Sequence, residues 1–99
     1  MVDSMDELMH RVRGRLYRMQ ELSERLAAIR IRESAADGAV VVEMDGNGAL
    51  VNLVLSDSIA LMAANDFETA VVAAAAAATD RALAQQAALV RDFNSEIAG

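Results

Sequence analysis

The stretch VVVEMDGNGALVNLVL, residues 40–55, separates two long segments rich in Ala, Leu, Met and Arg. Its apolar runs flank DGNG at 45–48, a turn signal that closes two short strands into a hairpin. On either side the pattern is helical, and no proline occurs anywhere in the chain to interrupt it. A hairpin between two helices restricts the fold more than any other feature. The strands need a covering layer, and the helices are the segments able to supply it.

Before the hairpin, Met5, Leu8, Met9, Val12, Leu16, Met19, Leu22, Leu26 and Ile29 recur at steps of three and four, one apolar stripe on a helix. SMDE at 4–7 reads as a capping box that starts this helix, and Gly14 falls on its exposed side. The period then changes, because Ile29, Ile31 and Glu33 alternate with Arg30 and Arg32. That run fits a strand or a continuation of the helix. SAADG at 34–38 is turn chemistry, since Asp and Gly tolerate left-handed backbone. Three antiparallel strands follow, and Val41, Val51, Leu53 and Leu55 leave few polar positions on them. Helices or another subunit are therefore expected to cover more than one side of the sheet.

After the hairpin, SDSIALMAAN forms a short turn with helical character, and NDFE at 65–68 reads as a second capping box. The helix it opens places Phe67, Val71, Ala75, Ala78, Ala82, Leu89, Phe93 and Ile97 on one side. Its alanine run has the highest helix propensity and admits another backbone closely, so it reads as a packing face. The expected fold is α+β in the order α-β-β-β-α: a single domain over residues 1–99, with helices of about 25 and 30 residues that project beyond a small core.

Charge is partitioned along the chain. The net charge is −6 and there is no lysine, yet seven of the nine basic residues, all Arg, lie between positions 11 and 32. With Glu21 and Glu24 that segment carries +5, so the remainder carries −11. At about 100° per residue, Arg11, Arg15, Arg18 and Arg25 fall within an arc of about 80° beside the apolar stripe. A guanidinium ridge on a straight helix suits phosphate, which the planar fork binds bidentately. Intrahelical pairing of Glu7 with Arg11 and of Glu21 with Arg25 is the competing use of the same residues. Arg30 and Arg32 share one face of the first strand, where they line a groove between projecting helices or guard the sheet against edge-to-edge pairing. Arg13 lies off the ridge and reads as solvated.

The opening helix ending in LAAIRIRES, the sheet ADGAVVVEMDGNGALVNLVLSDS and the helix NDFETAVVAAAAAATDRALAQ together resemble the YbaB/EbfC family of nucleoid-associated proteins over nearly the whole chain. The resemblance implies a homodimer in which sheets meet at the centre and long helices project like tweezers. It also implies bacterial DNA binding and a place in the nucleoid. Arg11, Arg15, Arg18, Arg25, Arg30 and Arg32 are then the candidate DNA-binding residues. With no Asn and only Tyr17 and Gln20 interleaved among them, such contacts position a protein on duplex DNA largely without reading its sequence. A second reading uses the same fold as a dimeric adaptor or chaperone-like protein for a protein partner such as a secretion substrate, with the Ala-lined helix and the acidic remainder as its surfaces.

Catalysis is not expected. His10 is the sole histidine and cysteine is absent, which leaves neither a zinc site nor a Ser/His relay. DGNG lacks the lysine and the strand-to-helix setting of a phosphate loop, and Asp37, Glu43, Asp45 and Asp57 lack calcium-loop spacing. No cofactor or metal is expected. The opening MVDSMDELMH has acids where a secretory signal has bases, and the apolar run Ala70 to Ala78 is too short for a bilayer. A soluble, cytoplasmic protein without membrane contact is the expectation.

Overall fold

A computed structural model describes residues 2–98, with side chains detailed over 4–96. The order is helix α1 (Val2–Ala28), strands β1 (Ile31–Ala35), β2 (Val40–Met44) and β3 (Leu50–Leu55), a short 3-10 helix (Asp57–Leu61) and helix α2 (Ala64–Ala98). The strands form one antiparallel sheet in the order β1-β2-β3. The molecule is elongated, 73 × 18 × 16 Å, because helices of 27 and 35 residues extend well past strands of five or six.

Alternation along the strands decides which side is covered. Ile31 of β1 and Val40, Val42 and Met44 of β2 are buried, and they meet Ala70, Ala74, Ala78 and Ala82 of α2. These alanines recur every four residues, and their small side chains let the helix lie close over the sheet. The buried row differs from the expected face: it includes Ala70 and Ala74, while Phe67, Val71 and Ala75 lie half-buried along its flank. Ile97 lies outside the residues with described side chains. The expectation of cover on both sides of the sheet fails within one chain. Arg32, Ser34 and the apolar residues Leu50, Val51, Leu53, Val54 and Leu55 are exposed, because α2 lies over β1 and β2 and passes β3 by.

Both helix starts differ from the capping-box readings. α1 already includes Val2, so Ser4 lies inside the helix. α2 opens at Ala64, with the Phe67 N–H donating to the Ala63 carbonyl at 3.0 Å, so Asn65 sits in the first turn. Asp66 in that turn complements the positive end of the helix.

The two turns carry the geometry of the sheet. Between β1 and β2, Asp37 and Gly38 have φ of 55° and 86°, closed by Ala39 N–H donating to Ala36 O at 3.1 Å. Ala36 is also left-handed, at φ 54°, where an L side chain is strained. Between β2 and β3, one Asp45 carboxylate oxygen accepts from Asn47 N at 2.8 Å and Ala49 N at 3.1 Å. That loop is what α1 ends against. Gly46 N–H donates to the Leu26 carbonyl at 2.9 Å, capping the C-terminal end of α1. A Cβ on Gly46 would stand 2.7 Å from that same oxygen, so the approach requires glycine for space.

Opposite effects on stability are expected at the two turns. Gly46→Ala should cost about 1–3 kcal/mol, since backbone has to move. Ala36→Gly should gain about 0.5 kcal/mol, as relief of the left-handed strain outweighs the added freedom of the unfolded chain. Urea denaturation of the two variants beside the parent measures both.

Candidate nucleic-acid interface

Two anchors at the hairpin end set the direction of the helices. Gly46 binds Leu26 of α1, and the Thr79 hydroxyl of α2 donates to the Met44 sulfur at 3.4 Å. Away from the sheet, α1 is followed backwards while α2 runs forwards, so the two are antiparallel. They meet around a depression lined by Arg18, Leu22 and Arg25 on one side and Leu89, Phe93 and Glu96 on the other. Farther out, no other element of the described residues covers α1. Met5, Leu8, Met9, Val12, Leu16 and Met19 are 45–63% exposed, so only the end of the stripe, Leu22, Leu26 and Ile29, packs inward.

The ridge arginines divide according to this geometry. Arg11 and Arg15 are exposed on the uncovered half of α1, and Arg11 has Glu7 at 4.0 Å in a pair so exposed that water screens most of its attraction. Arg18 is half-buried: its guanidinium folds back toward Gly14, and its Nε is enclosed without a hydrogen-bond partner. Gly14 is correspondingly half-buried rather than on an open side. Arg25 is exposed at the rim of the depression, and no ion pair to Glu21 forms among the described residues. Its place in the last turn of α1 also balances the negative end of the helix.

Arg30 and Arg32 share a face, as their alternation indicates, and both turn to one acid that sequence reasoning did not connect with them. Glu43 lies 3.9 Å from Arg30 and 3.8 Å from Arg32, because strand register sets Glu43 directly across from Arg32. Arg30 also donates to the Ala27 and Ile29 carbonyls at 2.6 and 2.9 Å, helping to close the end of α1. A single carboxylate thus offsets part of two positive charges. On the covered face, Arg81 of α2 binds Glu33 at 3.1 Å and the Arg32 carbonyl at 3.1 Å, pinning α2 to β1. The signal for the Glu43 pairing was present as an acid in the neighbouring strand, readable only once the register of the β1–β2 turn is known.

Among the described residues, no cluster of three or more His, Cys, Asp or Glu side chains could hold a metal ion. No helix of the described residues is long and apolar enough to cross a membrane.

A three-stranded sheet backed by one long helix, with a second long helix hinged at the hairpin and carrying arginines, defines the class. The family model of the YbaB/EbfC DNA-binding family matches residues 1–97, and the chain belongs to that family. The fold is also that of the crystal structure of uncharacterized protein HP0035 from Helicobacter pylori, with a TM-score of 0.67 and 20% identity, covering 83% of this chain and 96% of that one. No match was found among curated proteins.

The Arg30–Glu43–Arg32 cluster stands at the surface, with side-chain exposures of 49, 24 and 63%. Solvent therefore screens it, and Glu43→Gln is expected to change stability by no more than about 1 kcal/mol. Chemical denaturation measures this, and a larger loss would make the cluster a structural element of the sheet.

Proposed function

We propose that this protein is a nucleoid-associated homodimer that binds duplex DNA largely without sequence preference, through Arg11, Arg15, Arg18, Arg25, Arg30 and Arg32. The observation that carries the reading is the exposure of Arg11 and Arg15 on a half of α1 that no other element of the described residues covers. Membership of a DNA-binding family supports it. The mechanism is electrostatic: guanidinium groups neutralise backbone phosphates and release counterions, while the acidic remainder repels DNA from the other surfaces. Arg11 and Arg15 are the principal contacts, and Glu43 tempers what Arg30 and Arg32 contribute.

The homodimer is supported by β3. Its five apolar residues are 38–58% exposed, its outer edge is unpaired, and Leu61 just beyond it is 91% exposed. An apolar edge of this kind is a template for pairing with another chain. Two protomers joined there bring their sheets together and hold two α1 helices at a set spacing. One observation favours the adaptor reading, in which a protein partner replaces DNA: the apolar stripe beside the ridge is as open as the ridge itself.

Fluorescence anisotropy of a labelled random-sequence duplex tests the DNA reading. With about four phosphates neutralised per dimer, log K should fall against log[salt] with a slope of about −3.6. Arg11→Glu with Arg15→Glu and Arg18→Glu should abolish binding; a flat salt dependence or an unaffected variant would sink the mechanism. For the dimer, Leu53→Lys should reduce the mass seen by light scattering at low micromolar concentration to that of a monomer. An unchanged mass would put the interface elsewhere.

A further inference from the structure

The uncovered half of α1 has a finer pattern than a simple apolar stripe. Met5, Met9, Val12, Leu16 and Met19 are separated by alternating steps of four and three, the 3.5-residue repeat of a coiled-coil seam. All five are exposed. Glu96 near the described end of α2 lines the same depression as Arg18, so the stretch from Met5 to Val12 lies farther out than α2 reaches. Among the described residues nothing covers this seam.

We propose that the occupant is a second copy of α1, packed antiparallel about a two-fold axis between residues 10 and 11. In that register Met9 meets the partner's Val12 and Met5 meets the partner's Leu16, which fills the seam with apolar pairs on both sides of the axis. The flanking charges select this arrangement. Asp6 and Arg13 occupy equivalent positions of successive heptads on one edge of the seam. Antiparallel packing brings like edges together, so Asp6 faces the partner's Arg13 and Arg13 faces the partner's Asp6. Both side chains are exposed and available, and no ion pair within the chain engages either among the described residues. A parallel pair would set Leu8 against the partner's Arg13 and Arg15 against the partner's Gln20, with no opposite charges matched. Arg13, which lies off the ridge, thus acquires a role.

Two heptads make a contact smaller than the roughly 1,200–2,000 Å² of a lasting interface, so the pairing depends on concentration. Arg11 and Arg15 lie on the opposite edge from Asp6, and the same symmetry gathers those of both copies on one side. That consequence for DNA rests on the reading above; the pairing itself does not.

Sedimentation equilibrium without DNA tests it. Asp6→Arg and Arg13→Asp should each weaken the concentration-dependent step about tenfold, and the double exchange should restore it to within about threefold of the parent. Circular dichroism shows whether the helices are retained in each variant. Orientation is read by oxidation in this cysteine-free chain. Met5→Cys protein mixed with Leu16→Cys protein should form disulfide-linked pairs containing one of each. Met5→Cys alone should not, because its two thiols would lie about 16 Å apart along the axis. Failure of the exchange to restore association, or cross-linking of Met5→Cys alone, would overturn the proposal. Failure of the parent protein to bind DNA, with the pairing intact, would sink the DNA reading instead.

Discussion

The approach of Gly46 to the carbonyl of Leu26 is the constraint on which the architecture depends. It joins the tip of a hairpin to the end of a helix through one 2.9 Å hydrogen bond in a space too small for a methyl group. Arg30 closes the neighbouring carbonyls, and Asp45 holds the loop in shape from within. Without this junction, α1 would be tied to the rest of the chain only by a short linker and its narrow meeting with Leu89 and Phe93. The direction in which the arginines project is therefore set at the hairpin, some distance from the arginines themselves.

A small core follows from the same layout. α2 lays a row of alanines over two strands and leaves the third bare, while α1 buries only the last part of its apolar stripe. Apolar surface of this extent is uncommon on a protein that acts alone. The unpaired edge of β3 and the open seam of α1 are separate surfaces, one formed by a sheet and the other by a helix. Charge is partitioned along the chain: seven of the nine arginines lie between positions 11 and 32, and most of the acids lie outside that segment.

Much of this was legible in the sequence, because the signals were local. DGNG announced the hairpin and steps of three and four in α1 placed four arginines on one arc, while the alternation around Ile31 fitted a strand or a longer helix and the fold makes it a strand. Helix starts were misread for a physical reason. Ser4 and Asn65 have the chemistry of caps, but the helices began earlier, at Val2 and Ala64. Burial of Arg18 against Gly14 and the bridging by Glu43 depend on tertiary register, which spacing within one segment does not contain. The bareness of β3 was hidden for the same reason, since its composition is that of a strand covered on both sides.

A helix held at one end and free at the other works as a lever. At about 1.5 Å per residue, α1 is roughly 40 Å long, and a tilt of about 5° at the Gly46 junction sweeps its far end through about 3.5 Å. That displacement is comparable to the length of a hydrogen bond. Small adjustments at the hairpin thus become large ones at the tip, and a rigid glycine contact there converts the shape of a tight turn into the aim of a distant helix.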